Sequence, residues 1–553
     1  MMKDKVDYSL YLVTDSTKAI LGDRDLADVV EQALLGGVTI VQYRDKTSDT
    51  GALISTAKAL HAKCKAHNIP LLINDRVDVA LAIDCEGVHI GQDDMSVSAA
   101  RQLLGPDKII GATVSSIEEA RVAVEQGADY LGIGTLYATQ TKKNTKDIIG
   151  VKGIRKILRY LDNANEASKN IKTVCIGGIN ASNIPLIIHQ LLAPTPSTRT
   201  PKTINGVALV SAVIGSPDPK SSSQTLLHLL KSPPPFKAKS SEPFFWLENN
   251  SDEISHLLST ALTATKKVKQ TTPLSHNMTN LVVQNLAANV ALAIGASPIM
   301  ANYGAEATDL SKLGGSLVIN MGTVTPDGLT NYTTALTAYN AAGNPVIFDP
   351  VGAGATHIRR SAVSTLMATG YFDLIKGNER EILQVARASG FTVASVQSQQ
   401  KGVDTGTALF SLDQKAHIVS TLAARERNII LMTGAVDVIS DGYRTYTIHN
   451  GHAYLGLITG SGCSLGTTLS AYLAANPGDK LYAAIAGILH YEVAAEEAAA
   501  RQDVKGPGSF VPAFIDELWN VGVGVVEGKR TWEGVARVEC VKEIVEDGIL
   551  VLE

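Results

Sequence analysis

The segment VQYRDK carries Gln42, Arg44 and Lys46 at every second position. An extended strand would place that amide and both cations on one side. NDR adds Asn74 and Asp75, and GQDDM adds Asp93 and Asp94, each after an apolar run. Carboxylates opposed to cations suit a magnesium-bridged diphosphate, because oxygen ligands hold the metal while cations hold the oxyanions. TQTKKNT supplies Thr139, Thr141 and Lys142. The backbone around Gly178 in IGGI and around Val210 and Ser211 in LVSAV can offer N–H groups to a second phosphate.

A second set lies in the other half of the chain. FDPVGAG ends an apolar run at Asp349, and LIKGNEREI gives Lys376, Asn378 and Glu381. The N-x-x-E spacing lets one helical turn steer magnesium and its waters. LMTGAVD adds Thr433 and Gly434, and LITGSGCSLG, residues 457–466, opens an Ala-rich helix. The positive end of such a helix favours an anion. Metal ligands, an anion hole and nucleotide loops are the parts that phosphoryl transfer needs. Cys463 stands where a general base would suit. A helix N-terminus can lower a thiol's pKa, but a loose transition state depends little on a base.

Taken singly, each charge reads as a solvated loop residue, the glycine loop as tight packing and the cysteine as a buried inert thiol. Their position decides otherwise. Before residue 235, short β-branched runs (YSLYLVTD, VTIVQYRDK, IPLLINDR, GVHIGQDD, IIGATV, YLGIGTLYATQTK, TVCIGGI, GVALVSAVI) alternate with segments of helical spacing. Eight such units predict a (β/α)8 barrel, with the polar residues gathered past the strands' C-terminal ends, where barrel chemistry sits. The remainder alternates too, with runs at SLVINMGT, NPVIFDPVG, FDLIKGN, NIILMTGAVDVISDG and RTYTIHNG. A hairpin turning through Asp441-Gly442 marks it as a layered α/β sheet flanked by helices. The expected domains are 1–235 and 246–553, with an insertion at about 192–206 and an extended linker at about 216–245.

Composition narrows the class. A formal net charge of -5 over 553 residues leaves no basic surplus for nucleic acid. Five scattered cysteines without a C-x-x-C pair argue for a reducing compartment. The charged start predicts no secretory leader, and no apolar run approaches the roughly 20 residues of a membrane span. Cytoplasmic location is the expectation, with small-molecule substrates and neither nucleic acid nor membrane as partner.

QYRDK, IPLLINDR, GVHIGQDD, YATQTKK, CIGGI and VSAV, in this order, resemble thiamine phosphate synthase across residues 8–230. That resemblance implies Gln42, Arg44, Lys46, Asn74, Thr113 and Lys142 on a hydroxymethylpyrimidine diphosphate, and Asp75 and Asp94 on Mg2+. It implies Thr139, Thr141, Gly178, Val210 and Ser211 on a thiazole phosphate. The implied mechanism is loss of diphosphate to a pyrimidine-stabilised cation, which asks no histidine to act as base. HNMTN, SPIMA, DPVGAG, N-x-x-E and GSGC resemble the ribokinase-type kinases, and among them hydroxyethylthiazole kinase, over about 250–540. Met300 and Gly460 would then contact the thiazole, with Lys376, Asn378, Thr433 and Gly434 on ATP as co-substrate. Asp349 and Glu381 would hold Mg2+, and Cys463 would be the catalytic residue. Together the halves are similar to the fungal bifunctional family of thiamine biosynthesis. The kinase resemblance implies a homo-oligomer with a trimeric kinase core, hexameric if barrels also pair. The rival of another class is a ligand-binding regulator of that pathway with one inactive domain.

Overall fold

Parallel strands four to six residues long, buried on both sides, form the first part of the chain. They are β1 (Leu10–Val13), β2 (Ile40–Tyr43), β3 (Leu71–Asn74), β4 (Gly87–Ile90), β5 (Ile109–Val114), β6 (Tyr130–Ile133), β7 (Lys172–Ile176) and β8 (Gly206–Leu209). Each pairs in parallel with the next, and β8 returns to β1 with Tyr11 opposite Ala208, so the barrel closes. The computed structural model describes residues 3–139, 148–192, 201–237, 246–393, 409–544 and 550–552. Continuous apolar runs suit strands covered on both faces. Outward side chains such as Leu12, Val41, Ile73 and Val88 pack under the helices. Inward ones, among them Tyr11, Ile40, Leu72, Tyr130 and Val174, fill the interior. Asp25, Asp49, Ser96 and Ser116 start the following helices by accepting a backbone N–H three residues on.

The linker expected at about 216–245 starts too early. Residues Pro219–Lys231 form a helix capped by Asp218, with Ser223 and Leu226 buried. This helix packs against Leu26–Leu35. Serines and flanking prolines suggested a spacer, but Leu226, Leu227, Leu229 and Leu230 lie against the barrel's outer core. Within the expected insertion, Leu192 bridges Thr203 and Ile204 is buried, while 193–200 lie outside the described residues.

The chain divides into Met1–Pro234 and Pro235–Glu553. The second unit is built on β9 (Leu274–Met278), β10 (Ser297–Ile299), β11 (Ser316–Asn320), β12 (Val346–Asp349), β13 (Leu374–Gly377), β14 (Phe391–Val393), β15 (Ile429–Met432), β16 (Asp437–Ser440), β17 (Thr445–Ile448), β18 (Val538–Cys540) and β19 (Leu550–Leu552). Nine of these form one sheet in the order β10-β9-β11-β12-β13-β15-β16-β17-β18, parallel as far as β15 and antiparallel beyond it. β14 and β19 form a separate pair. The run NIILMTGAVDVIS is therefore two strands, β15 and β16, and the next hairpin turns at Gly442 with φ +88°.

Helices cover both faces of the sheet. Asn250–Thr271, Gln284–Ile294, Ser461–Ala475, Lys480–Ala500 and Pro507–Val526 share one core, and Pro326–Ala342, His357–Thr369, Glu379–Ala388 and Leu412–Glu426 share the other. The helix Pro507–Val526 is long and apolar enough to cross a bilayer by length and composition, although Asp516 and Glu517 interrupt its apolar run. Phe510, Phe514, Leu518, Val521 and Val525 are buried in the sheet's helical layer, which is why its sequence is so apolar.

Candidate active sites

At the barrel's C-terminal rim, Gln42 on β2 donates through Nε2 to Asn74 Oδ1 on β3 at 2.6 Å. Arg44 and Lys46 follow the end of β2. The Lys46 ammonium lies 3.0 Å from Asp75 Oδ2. Asp75 has φ +62° and its N–H donates to the His89 carbonyl, which fixes the turn after β3. Asp94 Oδ2 accepts from Gly91 N at 3.1 Å. Partial burial and the neighbouring Asp75 carboxylate raise the Asp94 pKa, with Lys46 opposing the rise. Two carboxylates this close, tied to one cation, carry negative charge that a divalent ion would offset.

Thr113 on β5 faces the barrel interior, and His89 Nε2 lies 2.8 Å from its Oγ1. The Gln92 amide also donates to the Thr113 carbonyl. Gly178 follows β7, and its carbonyl accepts from Asn183 Nδ2 at 2.9 Å. Val210 and Ser211 follow β8 at the start of a short helical turn, Ser211–Ile214. Thr139 is half-buried just before the described stretch ends; Thr141 and Lys142 lie outside the described residues.

In the second unit the strand ends converge on a buried polar chain. Asp349 Oδ2, at the end of β12, accepts from Lys376 Nζ at 3.1 Å and from Asn320 Nδ2 at 2.9 Å. Burial presses the Lys376 pKa down, but Asp349, Cys463 and Glu381 outweigh it, and the ammonium stays charged. Burial raises Asp349 above the usual carboxylate range, with Lys376 and Asn320 opposing. Glu381 completes a capping box with Asn378 on the helix Glu379–Ala388. Its carboxylate accepts from Gly352 N at 2.8 Å and Asn378 N at 2.9 Å. Burial first, then the Asp349 charge, pushes Glu381 up to about 7. Among the described residues, no group of three or more His, Cys, Asp or Glu is arranged around a metal position.

The glycine loop becomes the start of helix Ser461–Ala475. Gly460 precedes it with φ +90°, and a Cβ there would stand 2.3 Å from Val283 Cγ2. Position 462 lies close above the ion pair, since a Cβ on Gly462 would be 3.7 Å from Lys376 Nζ. Cys463 accepts from Asn280 Nδ2 at 3.8 Å. The possible lowering of its pKa by the helix end does not occur: burial and the Asp349 charge push the thiol up to about 11. The helix end's partial charge is outweighed by desolvation. Thr433 follows β15, and Gly434 N donates to Asp437 Oδ1 at 2.9 Å. Met300, just past β10, is half-buried.

Sequence reasoning missed several participants. Asn280 and Asn320 connect Cys463 to Asp349, with Asn280 Nδ2 donating to Asn320 Oδ1 at 3.2 Å. HNMTN and NMGT were the only signals for them. His89, Tyr130 and Tyr11 lie beneath the barrel rim; the signal for His89 was a polar residue between Val88 and Ile90.

The Thiamine monophosphate synthase family model matches residues 10–213, and that of the Hydroxyethylthiazole kinase family matches residues 265–523. The chain is 41% identical over 545 residues to a probable thiamine biosynthetic bifunctional enzyme of Schizosaccharomyces pombe, covering 97% of this chain and 99% of that one. It is 34% identical over 546 residues to the thiamine biosynthetic bifunctional enzyme of Saccharomyces cerevisiae, covering 94% and 96%. A thiamine-phosphate synthase of Clostridium botulinum is 42% identical over 223 residues, which is 40% of this chain and 98% of that protein.

Proposed function

We propose the chemistry of two sites from one premise: this chain belongs to the family of thiamine biosynthetic bifunctional enzymes, with a thiamine-phosphate synthase domain and a hydroxyethylthiazole kinase domain. The kinase domain phosphorylates the alcohol of 4-methyl-5-(2-hydroxyethyl)thiazole with ATP. The barrel joins that phosphate to 4-amino-2-methyl-5-(diphosphomethyl)pyrimidine, giving thiamine phosphate and diphosphate. The domains run 1–235 and 246–553. What supports the reading is that each domain keeps its own charged cluster: Lys46 with Asp75 and Asp94, and Lys376 with Asp349 and Glu381.

In the barrel, Gln42, Arg44, Lys46, Asn74, Thr113 and Lys142 bind the pyrimidine diphosphate, and Asp75 and Asp94 hold Mg2+. Bound there, Mg2+ would supply charge neutralisation for the diphosphate. Arg44 and Lys46 add cations to the same end, so charge moves away from the ring as the C–O bond breaks. Thr139, Thr141, Gly178, Val210 and Ser211 hold the thiazole phosphate with its nitrogen toward the methylene carbon.

In the kinase, Met300 and Gly460 hold the thiazole, and Lys376, Asn378, Thr433 and Gly434 hold ATP. Asp349 and Glu381 would hold Mg2+, which would supply charge neutralisation there. Lys376 and the N–H groups that open Ser461–Ala475 receive the charge of the transferring phosphoryl group. Cys463, protonated, shapes the anion hole beside the alcohol.

The protein works in the cytosol as a homo-oligomer with a trimeric kinase core, hexameric if barrels also pair. Exposed Leu281, Val282 and Leu457 near the Gly460 loop support an apolar contact between subunits. The test is a coupled assay with thiazole alcohol, ATP, Mg2+ and pyrimidine diphosphate. Thiamine phosphate should form, and omitting ATP should stop the sequence unless thiazole phosphate is supplied. Turnover of neither half by the purified chain sinks the reading.

A further inference from the structure

Six polar side chains cross the barrel interior in one unbroken line. Gln42 donates to Asn74 at 2.6 Å, and Tyr11 Oη donates to Gln42 Oε1 at 2.9 Å. Tyr11 Oη meets Tyr130 Oη at 2.7 Å, Tyr130 Oη meets His89 Nδ1 at 2.7 Å, and His89 Nε2 meets Thr113 Oγ1 at 2.8 Å. Tyr11 and Tyr130 are essentially inaccessible. Two glycines clear the space: a Cβ on Gly111 would lie 2.1 Å from the Tyr130 ring, and one on Gly132 would lie 2.9 Å from His89 Cε1.

The order of donors follows from the Gln42 amide. Because Tyr11 gives its proton to Gln42 Oε1, its oxygen must accept from Tyr130. Tyr130 has then spent its one proton and must accept from His89, which places the imidazole proton on Nδ1. In the neutral imidazole His89 Nε2 is then left as an acceptor, so the Thr113 hydroxyl donates to it. Every proton points the same way, from Thr113 toward Asn74. Thr113 Oγ1 is therefore left with lone pairs and no proton for anything above it.

We propose that His89 is a positioning residue whose Nδ1–H tautomer, fixed by Tyr130, holds Thr113 as a hydrogen-bond acceptor for the amino group of the pyrimidine substrate. This rests on the reading of the barrel as an aminopyrimidine diphosphate site. An acceptor on that amino group strengthens its push of electrons into the ring while diphosphate leaves; a donor there would oppose it. The effect grows as positive charge develops, so it acts more on the transition state than on binding.

Two measurements test this. In the full-length protein labelled with 15N-histidine, with His89→Gln identifying the signal, His89 should show a protonated Nδ1 and an unprotonated Nε2. The opposite tautomer reverses the line and overturns the proposal. Tyr130→Phe removes one hydroxyl and frees the tautomer. Its kcat for diphosphate release should fall about tenfold, with KM for the pyrimidine diphosphate within about threefold of the wild type. Thr113→Ser should keep most of the rate, and Thr113→Val should lose it. If the wild type forms no thiamine phosphate, the barrel reading falls and takes this one with it. If the wild type turns over and Tyr130→Phe keeps its kcat, the relay alone fails.

Discussion

Lys376 Nζ lies 3.1 Å from Asp349 Oδ2, with side chains only 4% and 2% exposed. A buried pair of this kind is costly to break, because the survivor is left charged and unsolvated. Lys376→Ala should destabilise the kinase unit by about 3–5 kcal/mol, remove ATP-dependent phosphorylation and leave diphosphate release by the barrel near its original rate. Unfolding curves read beside the two separate assays check this. Equal loss in both assays would contradict the assignment of Lys376 to one step.

Cys463 is protonated throughout the physiological range, since its thiol is pushed up to about 11. Cys463→Ser should therefore slow the kinase without abolishing it. Between pH 7 and 9 the wild-type rate should not climb with thiolate content. A rate rising tenfold per pH unit, lost in the serine variant, would instead make the thiolate a base.

Glu381 rises from 4.5 to about 7 in the folded state. The folded chain then holds this proton more tightly than the unfolded chain. The resulting stabilisation is present in full below pH 4.5 and is lost as pH rises through about 7. Relative to Glu381→Gln, the wild-type stability without ligands should fall by up to about 3 kcal/mol between pH 5 and 8. Denaturation of both proteins across that range measures it, and a flat difference would refute the shift.

Asp94 and Asp75 repel one another at the barrel rim. Asp94→Asn should lower synthase turnover by at least about a hundredfold at ordinary Mg2+ and raise the Mg2+ concentration needed for half-maximal rate. Thiazole phosphorylation should be unchanged. A Mg2+ titration of diphosphate release decides it.

Gly460→Ala combines a φ of +90° with a Cβ 2.3 Å from Val283 Cγ2. The expected result is a kinase with reduced kcat and a raised KM for the thiazole alcohol. Gly460→Ala with Val283→Ala should recover part of the loss, since the clash goes and the backbone strain of about 1 kcal/mol stays. No recovery would mean that the backbone conformation alone matters.

Much of this arrangement could be read from residue order. The barrel's beat was legible because each strand is a short apolar run ending in polar residues. The helix Pro219–Lys231 was obscured by the serines and prolines at its margins, although LLHLL carried the apolar face. Alternation and strand ends put Gln42 and Asn74 at the barrel rim, but not the hydrogen bond between them. The His89 relay did not, because its members come from β1, β2, β3, β4, β5 and β6, and sequence spacing does not say which side chains meet inside a closed barrel. The Cys463 thiol shows the same limit: a local rule about helix ends gave one direction, and burial among groups from distant strands gave the other.

β17 is covered on its outer side by the edge strand β18, about ninety residues further along the chain. During ribosomal synthesis, the hairpin at Gly442 must wait with unsatisfied peptide groups until residues 538–540 emerge. Until then it is open to pairing with a neighbouring nascent chain. The barrel, complete in its pairing once β8 has left the tunnel, has no such interval. Premature termination should therefore spare the barrel and leave the kinase half sticky, a burden that falls on chaperones.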